Sequence, residues 1–342
     1  MNGLILVTGG TGYIGSHTCV ELIEAGYEVV VIDNLSNSRR EVLDGIREIT
    51  GHMPRFERLD LCDRSLLDGF FEKYRDISAV IHFAALKSVG ESVMKPLEYY
   101  QNNIDSLVNL LQGMKNSGIR NLVFSSSCTV YGEPDRLPVT ESSPIKRANS
   151  PYGNTKQISE RIIEDVILSG DNISAISLRY FNPIGAHPSS LIGELPQGIP
   201  NNLVPFITQT AAGLLEELRV FGDDYDTPDG TAIRDYINVV DLSRAHVVAI
   251  NRLLEHNNES DFEVFNLGTG HGVSVLEVIN SFEKATGVKI RYRMAPRREG
   301  DVEKVFADTS LANRKLGWKS LISLEETLLS AWNWEKRYRI LK

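Results

Sequence analysis

Three side chains have the types and spacing of a proton-transfer site. Tyr152 and Lys156 stand four positions apart, and on a helix this spacing puts both on one face. A neighbouring cation favours the phenolate and lowers the tyrosine pKa from about 10 towards neutrality, so Tyr152 is a candidate general base. Ser127 ends a run of three serines at the end of a predicted strand, and its hydroxyl is a candidate partner for the same proton.

A glycine-rich turn follows the first apolar run of the chain. Gly9, Gly12 and Gly15 have the G-x-x-G-x-x-G spacing of a strand-to-helix turn that holds a pyrophosphate at a helix N-terminus. Asp33 ends the next predicted strand about 20 residues further on, where a carboxylate accepts hydrogen bonds from adenosine ribose hydroxyls and repels a 2′-phosphate. The pattern predicts bound NAD rather than NADP, although two nearby arginines leave the phosphate alternative open. The oxidised nicotinamide ring would add a second positive charge that favours the Tyr152 phenolate.

The elements that position these residues alternate between strands and helices. From residue 3 to about 182, short β-branched runs alternate with helical stretches, which is typical of parallel strands joined by crossover helices. Longer periodic segments predict helices over 97–115 and 152–168. We therefore expect an α/β fold, a Rossmann-type doubly wound parallel sheet. Its predicted strands are Leu4–Thr8, Glu28–Asp33, Arg55–Leu59, Ala79–Phe83, Leu122–Ser126 and Ser174–Leu178.

The texture of the chain changes after residue 182. Residues 183–205 are rich in glycine and proline and too long for an ordinary connection, so they predict a binding loop. Fewer strands follow, near 218–221 and at 262–267, together with three helices. We expect residues 1–182 to form the dinucleotide-binding domain with the three proton-transfer residues, and residues 183–342 to form a smaller C-terminal α/β substrate lobe.

Composition limits the classes of protein and partner. The chain has 42% hydrophobic and 24% charged residues and lacks an apolar run near the roughly 20 residues of a membrane span. Without a signal peptide and with an odd number of cysteines, it is expected to be cytoplasmic and free of disulfides. The net charge of -9 argues against a nucleic-acid partner, and the seven scattered histidines predict no metal site.

These features together resemble the extended short-chain dehydrogenase/reductase family, in which Ser127, Tyr152 and Lys156 would be the catalytic residues. Within that family, several segments across both predicted lobes resemble the UDP-hexose 4-epimerases. The resemblance implies a homodimer formed through the helices near 97–115 and 152–168. The matching segments are residues 82–92, 179–188, 200–203, 229–236 and 297–301.

The resemblance also implies which residues touch the ligands. Those expected at the NAD cofactor are Gly9, Gly12, Tyr13, Ile14, Gly15, Asp33, Asn34, Leu35, Ser36, Asn37, Ser38, Asp60, Leu61, Phe83, Ala84, Ala85, Leu86, Lys87, Asn102, Ser127, Tyr152, Lys156 and Phe181. Those expected at a UDP-hexose are Lys87, Ser127, Tyr152, Asn182, Asn202, Leu203, Arg219, Phe221, Arg234, Val305, Arg298 and Asp301. Arginine forks suit a diphosphate even in an acidic protein, and a carboxylate suits ribose hydroxyls.

The implied reaction is inversion at C4 of the hexose, which would interconvert UDP-glucose and UDP-galactose through a 4-keto intermediate. Tyr152 would remove the O4 proton with help from Ser127 while NAD accepts hydride from C4. The sugar would then turn over in its pocket so that hydride returns to the opposite face. Val305 stands where some epimerases carry a bulky tyrosine, so UDP-N-acetylglucosamine and UDP-N-acetylgalactosamine are also expected to fit.

Two other readings remain open at this point. A nucleotide-sugar 4,6-dehydratase would need an acid and a base beside the serine, where this chain has Cys128 and Thr129. A non-catalytic NAD-sensing regulator would have no need of the tyrosine and lysine. The chain departs from the epimerase pattern at Ala85, at Cys128 and at Asn238, where glycine, alanine and histidine are common.

Overall fold

The computed structural model describes residues 3–298 and 302–340, which form an α/β structure. The strands within these ranges are β1 Leu4–Thr8, β2 Glu28–Asp33, β3 Arg55–Arg58, β4 Ile77–His82, β5 Asn121–Ser127, β6 Ser174–Tyr180, β7 Asn182–Ile184, β8 Leu218–Phe221, β9 Ile233–Arg234, β10 Tyr236–Asn238, β11 Phe262–Leu267, β12 Val273–Ser274, β13 Tyr292–Ala295 and β14 Lys304–Val305. The α-helices are α1 Tyr13–Glu24, α2 Val42–Thr50, α3 Arg64–Lys73, α4 Val89–Met94, α5 Pro96–Tyr100, α6 Ser106–Ser117, α7 Pro151–Leu168, α8 Leu203–Ala211, α9 Val239–Leu254, α10 Val275–Thr286, α11 Ser310–Lys315 and α12 Leu324–Glu335.

A seven-stranded parallel sheet with the order β11-β6-β5-β4-β1-β2-β3 lies at the centre. The chain winds outward from β1 in both directions, so the order reverses between β1 and β4. Open sheets of this kind bind ligands at the carboxyl ends of their strands near such a reversal. The sheet confirms the predicted Rossmann-type fold class, and it brings the loops after β1, β4 and β5 to one edge.

Apolar side chains alternate between the two faces of this sheet. Ile5 and Val7 of β1 face one buried cluster, which also contains residues of α1, α2 and α9. Leu4 and Leu6 face a second buried cluster, with residues of α3, α6 and α7. Parallel strands covered by helices on both faces are apolar almost throughout, which is the pattern seen in β1 and β2. The sheet is therefore a rigid base for the loops at its carboxyl edge.

One strand prediction was wrong in its location. The run 262–267 was expected in the second lobe, but β11 extends the central sheet by pairing with β6 from Phe262 opposite Ala175 to Leu267 opposite Tyr180. Helix α9 also packs on the central sheet, beside α1. Pairing with the open edge of β6 satisfies backbone groups that chain order alone does not reveal. The proposed domain division at residue 182 stays a prediction.

The predicted helix over residues 97–115 is interrupted. A π-helical segment, Gln101–Asp105, separates α5 from α6. Such segments insert an extra residue into a helical turn and occur often beside functional sites. Here Asn103 lies in the inserted turn, and its buried amide exchanges two hydrogen bonds with the backbone of Leu86, at 2.8 and 3.0 Å. The irregular turn therefore supports the loop that follows β4.

A smaller second layer, with helices α8, α10 and α12, packs around a third apolar cluster. This cluster includes Val204, Leu218, Val278 and Leu328. Short strand pairs join distant segments of it, β7 with β10 and β8 with β13. Among the residues that the structure describes, we find no helix with the length and apolar character needed to cross a membrane.

Candidate active site

The glycine turn after β1 has the geometry of a pyrophosphate cradle. Gly9 has a φ of +69°, and a side chain on Gly15 would collide with the carbonyl oxygen of Gly9. Helix α1 begins at Tyr13, within the glycine turn. Gly12 caps this helix without a side-chain hydrogen bond, so the first N–H groups have no side-chain acceptor. These donors are available to an anionic oxygen.

The loop after β2 is organised by the carboxylate of Asp33. Its Oδ1 accepts hydrogen bonds from the Leu35 N–H and the Ser38 hydroxyl, both at 2.9 Å, and its Oδ2 accepts one from the Thr11 N–H at 3.2 Å. The loop of residues 34–38 is thereby attached to the glycine turn. A carboxylate placed here has the position expected for a contact with the adenosine ribose.

Residues from the next two loops lie at the same edge. Asn34 donates a hydrogen bond to Asp60 Oδ2 at 2.9 Å. Burial would raise the pKa of Asp60, but the hydrogen bonds from Asn34 and Cys62 hold it below its ordinary value. Leu61 is buried in the core beneath this loop, so its side chain supports the loop from inside.

The loop after β4 passes close to the glycine turn. A side chain on Gly9 would lie 2.8 Å from the backbone nitrogen of Ala84, so the two loops touch through their backbones. The Phe83 ring packs 4.7 Å from the His246 ring, measured between centroids. Leu86 is held by Asn103 as described, and Asn102 donates a 2.9 Å hydrogen bond to Asn103 Oδ1. The sequence prediction included Asn102 and missed Asn103, whose polar side chain inside a helix was the available signal.

The proton-transfer residues meet between β5 and α7. Ser150 caps α7 by accepting a hydrogen bond from the Gly153 N–H at 3.1 Å, which sets the start of this helix. The Lys156 ammonium is buried, lies 5.9 Å from the centroid of the Tyr152 ring and donates a 2.7 Å hydrogen bond to the Ser125 carbonyl. Ser127 is the last residue of β5.

Burial dominates the electrostatics of this group. It raises the pKa of Tyr152 to about 12, while the neighbouring Ser127 hydroxyl acts in the opposite direction. Burial also lowers the pKa of Lys156 to about 8, against the opposing effect of Glu160. Lys156 therefore keeps its charge at neutral pH. In the chain by itself, burial keeps the pKa of Tyr152 above its ordinary value despite the nearby lysine, so the second positive charge, expected from oxidised NAD, is required to make this phenol a base at neutral pH.

A buried polar network behind the site was not recognised in the sequence. Glu160 lies one helical turn after Lys156 and accepts hydrogen bonds at 2.6 Å from Ser126 and Ser177. Arg179 binds the same carboxylate through two nitrogens, with Nε–Oε1 at 2.9 Å. Each charge is buried, so each needs the other. The Glu160–Arg179 pair fixes α7 against β5 and β6. Helix α7 carries Tyr152 and Lys156, and β5 ends at Ser127.

Several residues expected at the sugar nucleotide lie on the second layer. Val305 is buried in an apolar cluster with Phe181, and β14 places it opposite Arg234 in the pairing with β9. The Arg298 guanidinium lies 5.7 Å from the centroid of the Phe221 ring. Asn182 donates its N–H to the Asp235 carbonyl at 2.9 Å. Arg219 is exposed on β8, two positions before Phe221, and Asp301 lies outside the described residues.

Asp235 holds this layer together and was also missed. Its buried carboxylate accepts hydrogen bonds from the Thr269 N–H and hydroxyl at 2.8 and 2.7 Å, from the Gly270 N–H at 3.1 Å and from the Ala307 N–H at 3.2 Å. Arg234 precedes Asp235 in the chain, and Val305 of β14 pairs with Arg234 of β9. The carboxylate therefore fixes the chain next to the paired strands β9 and β14, which carry the predicted substrate contacts Arg234 and Val305.

The predicted binding loop 183–205 ends at α8. Asn202 caps this helix, and Leu203 is its first residue, partly buried against the third apolar cluster. The Asn202 amide donates a 2.7 Å hydrogen bond to Glu194 in the same loop. Lys87 approaches the same carboxylate at 3.4 Å and lies 5.8 Å from the Tyr13 ring centroid. The structure thus links residues predicted at the cofactor with one predicted at the substrate.

Comparison with known proteins of similar sequence and fold identifies the family. Residues 6–330 match the family model described as GDP-mannose 4,6 dehydratase. UDP-glucose 4-epimerase of Bacillus subtilis is 52% identical over 97% of this chain and 96% of its own length. The chain belongs to the UDP-glucose 4-epimerase family. That assignment confirms the resemblance seen in the sequence and sets the chain apart from the dehydratases within the wider family.

Solved structures of this epimerase family superpose closely on the chain. UDP-glucose-4-epimerase from Stenotrophomonas maltophila, with bound NAD and formylated UDP-arabinopyranose, has a TM-score of 0.95 and 48% identity, covering 99% of this chain and 100% of its own. UDP-glucose 4-epimerase from Bifidobacterium longum, in complex with NAD+ and UDP, has a TM-score of 0.93 and 46% identity, covering 98% of both chains. The similarity to this family in sequence and in fold therefore extends over nearly the whole chain.

The three departures from the epimerase pattern have different structural settings. Asn238 caps α9 by accepting a 2.7 Å hydrogen bond from the Val240 N–H and donates a 2.9 Å bond to Thr327, so it has a defined role in the fold. Cys128 packs beside the apolar cluster of Val305. Ala85 lies in the partly buried loop after β4. These three departures leave Ser127, Tyr152 and Lys156 unchanged.

Proposed function

We propose that this protein is an NAD-dependent UDP-hexose 4-epimerase that interconverts UDP-glucose and UDP-galactose. The observation that carries the proposal is the Tyr152–Lys156 pair, with its buried ammonium, at the carboxyl edge of the sheet next to Ser127 and to the glycine turn. The family assignment supplies the reaction class, because the UDP-glucose 4-epimerase of Bacillus subtilis is 52% identical over 97% of this chain.

The residues present fit NAD. The tight approach of Gly9 to Ala84, together with the uncapped N-terminus of α1, leaves the backbone donors that a pyrophosphate needs. Asp33 suits ribose hydroxyls and disfavours a 2′-phosphate, which supports NAD over NADP. We assign the other predicted cofactor residues to the same edge. When bound, oxidised NAD accepts a hydride from C4 of the sugar and returns it to the opposite face.

The UDP moiety is assigned to the second layer. Arg234 and Arg298 supply the charge-assisted donors that a diphosphate requires, and the Phe221 ring is 37% exposed beside Arg298. An exposed aromatic ring next to a guanidinium suits stacking of a uracil base. The hexose would then extend towards the apolar cluster of Val305 and Phe181, where few polar groups hold one orientation. Firm binding at UDP with loose binding at the hexose is what a turnover of the sugar requires.

The chain's own groups handle the proton at the sugar O4. Tyr152 accepts it as phenolate and later returns it, and Ser127 hydrogen-bonds to the same oxygen. Because burial raises the pKa of Tyr152, two positive charges are needed to form the phenolate at neutral pH, one from Lys156 and one from the oxidised nicotinamide. The Ser125 carbonyl holds the Lys156 ammonium in place at 2.7 Å. Coupling the base to oxidised cofactor would keep proton and hydride removal in step.

We also propose a homodimer and a cytoplasmic location, in which the enzyme would serve galactose metabolism. Helices α4, α5 and α6 expose apolar side chains that a second copy would cover, with exposed fractions of 77% for Met94, 82% for Leu97 and 40% for Val108. A Leu97→Arg variant that runs at half the mass of the unmodified protein in light scattering would support the dimer. An unmodified protein of single-chain mass would contradict it.

The test of the reaction is conversion of UDP-galactose and, separately, of UDP-N-acetylgalactosamine by purified protein without added NAD. NMR detection of the gluco epimer from UDP-galactose establishes the activity with a resident cofactor. Because valine is small at position 305, we expect the acetylated sugar to react as well and Val305→Tyr to suppress only that conversion. If both sugars stay unchanged with NAD added, the proposed substrate is wrong.

A further inference from the structure

Glu194 lies at the boundary between the cofactor side and the substrate side, and nothing above assigns it a role in the reaction. Gly193 before it packs on Trp334 of α12 so closely that a side chain would collide with the ring. The Trp334 indole N–H donates a 3.0 Å hydrogen bond to the Glu194 carbonyl. The backbone at residue 194 is therefore held in place, although the residues that follow it are an exposed loop.

The side chain of Glu194 points back towards both ligand sites. Its Oε1 accepts a 2.7 Å hydrogen bond from the Asn202 amide and lies 3.4 Å from the Lys87 ammonium. The carboxylate also contributes, after burial, to a pKa of Tyr13 well above its ordinary value. Lys87 and Tyr13 follow strands of the central sheet, whereas Asn202 is the N-cap residue of α8 in the second layer. One carboxylate thus spans the two halves of the proposed site.

We propose that Glu194 is a positioning residue that orients Lys87 and Asn202 for the UDP-hexose. This inference rests on the proposed function. The side chain of Glu194 is 12% exposed and that of Lys87 is 49% exposed. A half-exposed pair of this kind adds little stability, so its effect on geometry matters more. An ammonium has three N–H donors and an amide has two, so binding one of each to Glu194 leaves the others directed at the ligand.

Because Glu194 is negatively charged, its replacement can either strengthen or weaken UDP-hexose binding, and the direction of the change distinguishes two roles. A carboxylate near an anionic diphosphate repels it, so removal of the charge alone would tighten binding. Loss of orientation at Lys87 and Asn202 would weaken binding. Glu194→Gln separates the two, because glutamine keeps a similar shape but removes the charge that holds the lysine. We expect orientation to dominate because the carboxylate already has the Lys87 ammonium beside it.

The experiment measures KM and kcat for UDP-galactose, together with UDP affinity by calorimetry, in the NAD-containing protein. For Glu194→Gln we expect KM and the UDP dissociation constant to rise about tenfold, the size of one lost charge-assisted hydrogen bond, with kcat within about twofold. Glu194→Asp, which keeps the charge at shorter reach, should recover part of the loss. Glu28→Gln is the matched control, since Glu28 pairs with Arg55 at the opposite end of β2.

A double variant tests whether Glu194 acts through its partner. If it does, adding Glu194→Gln to Asn202→Ala raises KM by less than the product of the two single effects. An unchanged or lowered KM in Glu194→Gln, with unchanged UDP affinity, overturns the inference. So does an equal effect in Glu28→Gln. If the unmodified protein turns over no UDP-hexose, the proposed function fails, and the UDP titration alone then decides the role of Glu194.

Discussion

Replacing Lys156 with methionine should make the protein more stable and far less active. The pKa of this buried ammonium falls from 10.5 to about 8, which means that burying its charge costs about 3 kcal/mol at pH 7. Methionine removes that cost and nearly fills the same volume. It also leaves the Ser125 carbonyl without its 2.7 Å partner, which costs about 1–2 kcal/mol. The net expectation is a gain of about 1–2 kcal/mol in the free energy of unfolding at pH 7.

The stability gain should depend on pH with a definite sign. The folded pKa of Lys156 lies below its unfolded value, so the folded state binds fewer protons and its stability rises with pH between about 8 and 10.5. The cost of the charge is therefore complete below pH 8 and disappears towards pH 10.5. The Lys156→Met variant should exceed the unmodified protein at pH 7, lose that advantage by about pH 9.5 and fall below it at higher pH.

The same substitution should reduce turnover by raising the pKa of Tyr152. The Lys156 Nζ lies 5.9 Å from the centroid of the Tyr152 ring. At an effective dielectric constant near 20, a unit charge at this distance contributes about 3 kcal/mol, or about two pKa units. Turnover at pH 7 is therefore expected to fall about 100-fold and to recover partly at high pH, where more of the phenol ionises. In the unmodified enzyme, activity should decline above about pH 8 as Lys156 loses its proton.

Thermal unfolding and UDP-galactose turnover are measured on the same preparations, with saturating NAD in all samples. A rise of about 1.5–3 °C in Tm is expected at pH 7, because an unfolding entropy of about 2.1 cal/mol/K per residue gives about 1.4 °C per kcal/mol for 342 residues. Lys284→Met is the control, since that lysine is 78% exposed and should change neither quantity. Lower stability of Lys156→Met at pH 7, or full turnover by it, would refute this reasoning.

Two other substitutions should separate cofactor binding from substrate binding. Gly15→Ala places a methyl group against the Gly9 carbonyl, so purified protein should contain little NAD, as measured by absorbance of the released cofactor; NAD content equal to the unmodified protein would contradict this. Asp235→Asn puts an N–H₂ group among four hydrogen-bond donors and should cost about 2–4 kcal/mol in chemical denaturation, with a raised KM for UDP-galactose and retained NAD. A loss below about 0.5 kcal/mol would show that these bonds do not matter.

Much of the fold could be predicted because local patterns and tertiary structure agree. The bounds of β1 and β2 match the prediction because both strands are apolar on both faces, β1 is followed by a glycine turn and β2 ends at Asp33 before a polar loop. The start of α7 agrees to within one residue, since Ser150 and Pro151 are strong helix-start signals. The placement of Ser127, Tyr152 and Lys156 on β5 and α7 could be predicted for the same reason, while their part in proton transfer stays a prediction.

The sequence predictions failed where contacts between distant parts of the chain determine the structure. The run 262–267 has the same local pattern in either lobe, and only pairing with β6 determines its place. The π-helical turn at Gln101–Asp105 is stabilised by the bonds of Asn103 to Leu86, which no local spacing reveals. Glu194 and Asp235 were not predicted because partners such as Lys87 for Glu194, and Thr269 and Ala307 for Asp235, lie far away in the chain. Sequence patterns identify reactive groups more readily than the polar groups that orient them.

The most direct test of the central claim uses UDP-galactose deuterated at C4. The purified enzyme in ordinary water converts it to UDP-glucose, and NMR locates the label. If Tyr152 removes only the O4 proton while hydrogen leaves C4 as hydride and returns within the same closed site, the deuterium stays at C4 of the product. Replacement of the label by solvent hydrogen would show that C4 is deprotonated instead, and would contradict the mechanism proposed for Tyr152 and Lys156.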